Sequence, residues 1–155
     1  KIYVTPQSVV IFDIDDTVLS DYADSKAISF GYIPKLSHEW ILRADAQGIQ
    51  QTKKLYDYLI SHDFKIIFMT GRKYDEYEST LKNLRNQGFT TFDMLIVRKM
   101  KEANMSAQKY KTRERIKIVK KGYTIVGSVG DQWSDLIGPY SGRTVKLPNY
   151  RYCIY

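Results

Sequence analysis

The sequence predicts an α/β protein built on a mainly parallel sheet with helices on both faces. Apolar runs of strand length alternate along the chain with segments whose apolar residues recur every three or four positions. This alternation is typical of parallel sheets, because each crossover packs a helix against one face of the sheet. A chain of 155 residues can bury a full hydrophobic core. We therefore expect a single domain over residues 1–155.

Five segments have the length and composition of strands. The first is predicted at 8–14 and the second at 65–70, and both are rich in Val, Ile and Phe. Two more follow at 94–97 and 123–130, and a short run at 143–147 would be the fifth. Short runs of β-branched and aromatic residues favour strands over helices.

Three helices are predicted between these strands. The first spans 50–60, where the apolar residues fall on one side. The second begins near Tyr74 and stops at Gly88, and the third spans about 109–121 and ends at Gly122. Glycine is a frequent helix terminator because it adopts the left-handed conformation that closes the last turn.

Residues 21–48 interrupt the alternation. They contain several aromatic residues and a proline but no convincing strand. A segment of this length is too long for an ordinary connection between elements. We therefore expect an insertion that lies over the functional site.

Three carboxylates follow the first strand within four positions, at Asp13, Asp15 and Asp16. Unpaired charge at the end of a buried strand is costly. Asp13 and Asp15 are two residues apart, so an extended backbone points both side chains the same way. Such a pair either shares a proton or binds a cation, and a hard ion such as Mg²⁺ prefers oxygen ligands. A simple turn or helix cap would explain one or two of these acids.

Other polar residues follow the second and fourth strands. Thr-Gly-Arg at 70–72 follows the second, and Asp131 and Asp135 follow the fourth. In an open parallel sheet, ligands bind beyond the carboxyl ends of the strands. We therefore expect acids, a hydroxyl group beside a glycine, and part of a basic helix to meet at one edge of the sheet.

The net charge of +7 is unevenly distributed. Residues 98–121 contain ten Lys or Arg and two Glu, a local charge of +8, so the rest of the chain carries −1. Such a run could bind nucleic acid, form the solvated face of a helix, or attract anionic substrates. The solvated face explains most of these residues. No nucleic-acid motif accompanies them, and we expect no nucleic-acid partner.

Two further features limit the class of protein. Cys153 is the only cysteine, so no internal disulfide can form. No apolar stretch has the length of a membrane span, and the residues after Lys1 show no signal-peptide pattern. We expect no transmembrane segment.

Four ordered motifs resemble those of the haloacid-dehalogenase-like (HAD) phosphohydrolases. They read FDIDDT, FMTGR, YKTRER and GDQWSD, and they extend over nearly the whole chain. IVGSVGDQWSDLIG followed by VKLPN is similar, more narrowly, to the acid phosphatases that include plant vegetative storage proteins and bacterial class B and C enzymes. The resemblance implies a Rossmann-like three-layer sandwich with a small helical cap inserted at about 21–48.

The resemblance also implies a role for each motif in phosphate-monoester hydrolysis. Asp13 would be the nucleophile that forms an aspartyl-phosphate. Asp15 would protonate the leaving alcohol and then deprotonate the attacking water. Thr70 and the backbone N–H of Gly71 would hydrogen-bond the phosphoryl oxygens, and Lys111 would neutralise their charge.

A magnesium site is the second implication of the resemblance. Asp13, the backbone carbonyl of Asp15, and Asp131 would bind Mg²⁺. Asp135 would support the site from outside the coordination sphere by orienting Lys111 or a bound water.

Other residues in or near these motifs have further expected roles. Arg72 would either contact substrate or pair with a neighbouring acid. Asp16 and Thr17 match the family signature, and we interpret both as residues that shape the turn. Trp133 is expected to pack, and His38 is expected to be incidental.

The aromatic residues of the insertion have two interpretations. Phe30, Tyr32 and Trp40 could stack on an aromatic or nucleotide leaving group, or they could pack within the insertion, which is the commoner use of such side chains.

The expected protein is thus an exported (periplasmic or secreted), Mg²⁺-dependent acid phosphatase acting on small phosphomonoesters. A 5′-nucleotidase of the same fold and a catalytically weak storage or binding protein are the alternatives. A receiver domain also groups Asp, Thr and Lys around Mg²⁺, but its phosphoacceptor follows the third strand. Here a final pair of acids follows the lysine, which does not fit that class.

Overall fold

The computed structural model describes residues 3–154. Within this range seven strands form, in chain order: β1 (Ser8–Phe12), β2 (Leu19–Ser20), β3 (Gln47–Gly48), β4 (Lys65–Lys73), β5 (Met94–Arg98), β6 (Thr124–Gly130) and β7 (Arg143–Lys146). Five of them make one parallel sheet in the order β5-β4-β1-β6-β7. The predicted parallel α/β sheet is confirmed.

In the described part of the chain, six α-helices accompany the strands: α1 (Tyr22–Ala27), α2 (Pro34–Arg43), α3 (Gln50–Ile60), α4 (Tyr77–Asn86), α5 (Ala107–Lys120) and α6 (Trp133–Leu136). Two single 3₁₀ turns occur at Tyr74–Glu76 and Met100–Glu102. Among the described residues, no helix combines the length and the apolar character needed to cross a membrane.

The central strand β1 separates two apolar layers. Val10 and Phe12 face a layer with Tyr56 of α3 and Leu84 of α4. Val9 and Ile11 face the opposite layer, which includes Ile118 of α5. All five residues of β1 are buried, as expected for a parallel strand covered on both faces. The strand is therefore fixed from both sides, and so is the chain that leaves its carboxyl end.

The predicted element boundaries need four corrections. The first strand ends at Phe12, because the carbonyl of Ile14 accepts hydrogen bonds from the N–H groups of residues 17–19 and the chain turns there. The second predicted strand continues to Lys73. The helix predicted from Tyr74 starts with a 3₁₀ turn, and α5 begins earlier, where Ser106 caps it by accepting from the N–H of Lys109 at 3.3 Å.

The pairing of β4 with β5 is interrupted at Thr70-Gly71-Arg72. Pairing with β5 shifts register between Met69 and Lys73 and resumes at Lys73 and Arg98. The intervening Thr70-Gly71-Arg72 segment therefore lies outside the regular ladder at the carboxyl edge, which frees its backbone for other partners.

The insertion forms a small cap with α1 and α2. Strands β2 and β3 pair antiparallel at its base. Asn83 of α4 anchors it, because the side-chain oxygen accepts from the N–H of Ala46 at 3.1 Å and the amide group donates to the carbonyl of Ala46 at 2.8 Å. Gln87 also accepts from the N–H of Gly48 at 2.8 Å. These bonds tie the end of the cap to the core.

Candidate active site

Three carboxylates meet at the carboxyl edge of the sheet. Asp13 follows β1, and Asp131 and Asp135 follow β6. One carboxylate oxygen from each residue lies within 4.8 Å of the other two, and all three residues are buried. We call these residues the acidic cluster. Adjacent parallel strands bring their carboxyl ends together, so the predicted convergence follows from the strand order.

Lys111 of α5 reaches the acidic cluster. Its Nζ donates to Oδ1 of Asp13 at 2.6 Å and also donates to Oδ1 of Asp135. Burial lowers the pKa of Lys111, but the charges of Asp13 and Asp135 outweigh burial and raise its pKa overall. The lysine is therefore held as a cation, and one member of the basic run lies in the site.

The acidic cluster places three carboxyl groups around one lysine. Burial and the charge of Asp135 raise the pKa of Asp13 well above its usual range, and Lys111 offsets this only partly. Buried carboxylates whose charge is incompletely neutralised suit a hard divalent cation with oxygen ligands. The residues present therefore fit Mg²⁺.

Asp135 uses its two oxygens on separate partners. Oδ1 accepts from Lys111, and Oδ2 accepts from the N–H of Gln132 at 3.0 Å. A Cβ at Gly130 would collide with the Asp135 side chain. Glycine at this position lets Asp135 lie against the end of β6, in reach of Lys111.

Asp131 is oriented by two amide groups. Oδ2 accepts from Nε2 of Gln132 and from Nδ2 of Asn149, both at 2.6 Å. Neither amide residue was predicted to belong to the site. VKLPN contributed to the family resemblance, and its Asn149 was the signal that could have been followed.

Thr17 was expected only to shape the turn, and this expectation was wrong. Its fully buried hydroxyl lies 3.3 Å from Oδ2 of Asp13 and 3.2 Å from Oδ1 of Asp131, and it can donate to either. Asp16 forms the turn, with a positive φ of 54° and an Oδ1 that accepts from the N–H of Asp21 at 3.0 Å. Asp16 thus shapes the turn as expected, whereas Thr17 links two carboxylates of the acidic cluster.

The side chain of Asp15 lies beside the acidic cluster but has different partners. Its Oδ1 accepts from Nε of Arg72 at 2.9 Å and from Nη2 of Arg72 at 2.7 Å. Its Oδ2 accepts from the Thr70 hydroxyl at 3.2 Å. Burial raises the pKa of Asp15, but the charge of Arg72 and these hydrogen bonds outweigh burial and lower it overall.

Arg72 was expected either to contact substrate or to pair with a neighbouring acid, and in the structure it pairs with an acid. Besides Asp15, it donates through Nη1 to the Thr80 hydroxyl at 3.1 Å, and the residue is buried. The Thr70 hydroxyl accepts from the N–H of Arg72 at 3.1 Å. Asp15, Thr70 and Arg72 therefore form one hydrogen-bonded unit next to the acidic cluster.

Two cavities adjoin this unit. The first, of about 350 Å³, is the catalytic cavity, and its lining residues come from the strand ends, α5 and the C-terminal segment: Asp13, Asp15, Gly71, Arg98, Ala107, Lys111, Asp131, Gln132, Tyr152 and Ile154. The second, of about 460 Å³, lies between the cap and the core, and we call it the cap cavity. Both are lined by Asp15, Gly71, Tyr152 and Ile154. A Cβ at Gly71 would meet no atom within 4 Å, so this glycine opens onto free space.

The three aromatic residues of the insertion were expected either to contact a leaving group or to pack, and they do not all have the same surroundings. Phe30 and Tyr32 line the cap cavity. Trp40 packs against the core, with the guanidinium of Arg43 4.5 Å from its ring centre.

His38 lines the cap cavity, and its Nδ1 lies 2.7 Å from Oε1 of the buried Glu76. That His38 is incidental to function stays a prediction. The expectation for Trp133 was wrong. Trp133, expected to pack, is 55% exposed.

The C-terminal segment, residues 148–154, forms a wall of both cavities that the sequence did not reveal. The N–H of Ile154 donates to Oε1 of Gln132 at 2.8 Å. Arg151 donates to Asp16 at 2.5 Å and lies 3.6 Å from Asp21. The segment thus reaches both the acidic cluster and the base of the cap.

Residues 3–154 match the family model of HAD superfamily subfamily IIIB, acid phosphatase. The chain belongs to this family. This confirms the resemblance carried by the four motifs, whose residues lie at the edge described above.

Several plant relatives are similar over almost the whole chain. Identity is 40% to the Stem 28 kDa glycoprotein of Glycine max, 36% to Acid phosphatase 1 of Solanum lycopersicum, and 34% to Vegetative storage protein 1 of Arabidopsis thaliana. These matches cover 97%, 96% and 95% of this chain but 62%, 60% and 56% of the relatives. The chain therefore spans less than two thirds of each of these relatives.

A solved structure supports the fold. The class C acid phosphatase from Bacillus anthracis superimposes with a TM-score of 0.77 at 22% identity, covering 95% of this chain and 68% of that one. At this identity the likeness establishes the shared architecture.

Proposed function

We propose that this chain is a Mg²⁺-dependent acid phosphatase that hydrolyses small phosphomonoesters through an aspartyl-phosphate on Asp13. The observation that carries the proposal is the contact between Asp13 and the buried Lys111, with Asp131 and Asp135 beside them. A carboxylate nucleophile held next to a fixed cation can approach an anionic phosphoryl group that it would otherwise repel.

The first half of the reaction forms a new ester on the protein. An oxygen of Asp13 attacks phosphorus while the bond from phosphorus to the substrate's ester oxygen breaks in line. The departing alcohol oxygen takes a proton from the protonated form of Asp15. Burial raises the pKa of Asp15 but Arg72 lowers it overall, so acidic pH favours this form. The products are the free alcohol and an aspartyl-phosphate on Asp13.

The second half restores the enzyme. Asp15, now a carboxylate, takes a proton from water, and the resulting oxygen attacks phosphorus of the intermediate. The bond between phosphorus and Asp13 breaks, which releases inorganic phosphate and regenerates the nucleophile. One residue can serve both steps because the proton that it gives in the first is recovered in the second.

The position of Asp15 between the cavities supports this acid/base role. The reacting phosphorus must lie in the catalytic cavity to reach Asp13, and the leaving group must extend away from that residue for an in-line displacement. Asp15 lines both cavities. An alcohol leaving toward the cap cavity would therefore pass the carboxyl group that protonates it.

Three donors would stabilise the phosphoryl oxygens in this arrangement. Lys111 supplies a full positive charge and the N–H of Gly71 supplies a hydrogen bond, while the Thr70 hydroxyl would have to turn away from Asp15, to which it donates in the structure. The register shift in β4 leaves the N–H of Gly71 outside regular strand pairing. Donors fixed where charge develops contribute more than donors that must reorient during the reaction.

Asp13, the backbone carbonyl of Asp15, and Asp131 would hold Mg²⁺. When bound, the ion supplies positive charge that stabilises the phosphoryl oxygens during displacement. Thr17 and Asn149 orient the carboxylates on the protein side. Asp135 acts through Lys111, which it holds beside the nucleophile.

The cap cavity supports small phosphomonoesters as the substrate class. Its volume is about 460 Å³, and Phe30 and Tyr32 offer aromatic surface to the leaving group. A 5′-nucleotidase is the specific alternative within this class, because an aromatic wall also suits a nucleobase. Similarity to a stem glycoprotein and to a vegetative storage protein favours an exported location.

A storage or weakly catalytic role is the second candidate function, favoured by the likeness to Vegetative storage protein 1. Hydrolysis of p-nitrophenyl phosphate, with and without Mg²⁺ and from acidic to neutral pH, separates the two. Metal-dependent turnover that is lost in Asp13→Asn supports the phosphatase. Absence of turnover on this substrate and on a nucleotide panel, in a folded and Mg²⁺-supplied chain, supports the storage role.

A further inference from the structure

The catalytic cavity has a second cation besides Lys111. Arg98, at the end of β5, lines it together with Asp13 and Asp131. The side chain is fixed from two sides, because Nη1 donates to the carbonyl of Met105 at 3.0 Å and the guanidinium lies 4.8 Å from the ring centre of Tyr110. Arg98 is thus a preorganised group at the phosphoryl site.

Arg98 differs from the other cations of the site in its partners. Lys111 is paired with two carboxylates, and Arg72 is paired with Asp15. Arg98 makes no ion pair with a carboxylate of residues 3–154, and its Nε is buried without a hydrogen-bond acceptor there. A partly buried guanidinium that lines a cavity and has no carboxylate partner suits an anion that enters the cavity.

The position of Arg98 separates its role from leaving-group recognition. It lines the catalytic cavity but is absent from the lining of the cap cavity. An anion that meets Arg98 is therefore the phosphoryl group itself or the phosphate released from it. A guanidinium fits that anion well, because its planar donors match two phosphate oxygens.

We propose that Arg98 is a phosphate-binding residue of the catalytic cavity, contacting the phosphoryl group of the substrate and the inorganic phosphate product. This inference rests on the proposed function for the substrate, but phosphate binding can be measured without turnover. Its distinguishing consequence is that loss of Arg98 weakens binding of every phosphomonoester by the same factor, whatever the leaving group.

The test measures binding of inorganic phosphate by calorimetry, in the presence of Mg²⁺, to the native chain and three variants. Losing a charge-assisted hydrogen bond corresponds to about a 10- to 100-fold weaker phosphate affinity for Arg98→Gln. Arg98→Lys keeps the charge without the planar donors and should fall between native and Arg98→Gln. Lys109→Gln removes the same charge from an exposed residue and should bind phosphate like the native chain.

Steady-state kinetics distinguish a phosphate-binding role of Arg98 from a purely structural one. In Arg98→Gln, KM should rise by one common factor for p-nitrophenyl phosphate and for a phosphate ester of a small alkyl alcohol. The inhibition constant of phosphate should rise by the same factor. A change confined to one leaving group would overturn the proposal.

Stability is checked separately because Arg98 also holds the loop at Met105. The increase in melting temperature on adding phosphate should be smaller in Arg98→Gln than in the native chain, even if the phosphate-free melting temperature falls. Unchanged phosphate affinity in folded Arg98→Gln, or a native chain that binds no phosphate, would overturn the proposal. A native chain that binds phosphate but hydrolyses no ester would instead contradict the proposed function alone.

Discussion

The Nζ of Lys111 lies 2.6 Å from Oδ1 of Asp13, and the same nitrogen donates to Asp135. The lysine comes from α5, and the two acids follow different strands of the sheet. A single buried cation therefore connects the proposed nucleophile to a second carboxylate. Substitutions of Asp13, Lys111 and Asp135 can therefore separate the effect of the buried charges on stability from the effect of the reacting groups on turnover.

Replacing Asp13 should remove activity while the fold is retained. Asn has nearly the same shape, and it removes one carboxylate from a cluster in which burial and Asp135 already raise the pKa of Asp13. We expect turnover to fall by about 10³-fold or more, because the covalent pathway is lost. In the metal-free protein the melting temperature should stay near the native value. A folded Asp13→Asn variant with native turnover would contradict the assignment.

Replacing Lys111 should affect both stability and activity. Lys111→Met leaves Asp13 and Asp135 buried without their cation, which should cost about 3–5 kcal/mol in the free energy of unfolding. Turnover should fall by about 10²- to 10³-fold as a phosphoryl-stabilising charge is lost. Chemical denaturation and steady-state kinetics measure the two effects.

A double variant separates these two roles of Lys111. Adding Asp135→Asn to Lys111→Met removes one of the unpaired charges, so part of the lost stability should return. Activity should not return, because the phosphoryl group still lacks its cation. Recovery of turnover in the double variant would show that Lys111 acts only through stability.

Replacing Thr17 should weaken metal binding rather than folding. Its hydroxyl lies between Asp13 and Asp131, so Thr17→Val keeps the shape and removes the donor. Loss of a group that orients metal ligands should raise the Mg²⁺ concentration for half-maximal activity by about 10- to 100-fold. Thr17→Ser keeps the hydroxyl and is the matched control. Equal Mg²⁺ dependence in the Val and Ser variants would contradict this role.

Two glycine-to-alanine substitutions should affect different properties: Gly130→Ala should lower stability, and Gly71→Ala should raise KM. Gly130→Ala forces the Asp135 side chain to move and should cost about 1–3 kcal/mol in stability. Gly71→Ala adds a Cβ in free space, so stability should change by no more than about 0.5 kcal/mol.

Gly71→Ala should change the kinetics although it leaves stability nearly unchanged. The added methyl group lies at a residue that lines both cavities, so KM for p-nitrophenyl phosphate should rise although the fold is intact. Native KM in Gly71→Ala would place the phosphoryl group away from this residue. A native melting temperature in Gly130→Ala would contradict the close packing of Asp135.

The sheet and the convergence of acids could be predicted because both depend on local sequence. Strand-length apolar runs fix the sheet, and a parallel sheet brings Asp13 and Asp131 to one edge. The approach of Lys111 followed from its motif, although spacing alone does not distinguish it from neighbouring lysines of the basic run. The contacts of Lys111 with Asp135 and of Arg72 with an acid were also expected.

Other partners of the site residues could not be predicted, because they depend on tertiary packing. Thr17 looked like a turn residue, and only the position of Asp131 in space reveals its second neighbour. The contact of Asn149 with Asp131 requires the C-terminal segment to return over the site. The pair of His38 and Glu76 requires the cap to dock on the core. A local sequence pattern carries no information about such contacts.

The most direct test of the central claim is to trap the phosphorylated protein. The native chain, supplied with Mg²⁺ and excess p-nitrophenyl phosphate, is quenched in acid within one turnover, and its peptides are mapped by mass spectrometry. We expect a phosphoryl group on the peptide containing Asp13, at Asp13 itself, and none in Asp13→Asn. Rapid turnover with no phosphorylated peptide, or a phosphoryl group on another residue, would contradict that claim.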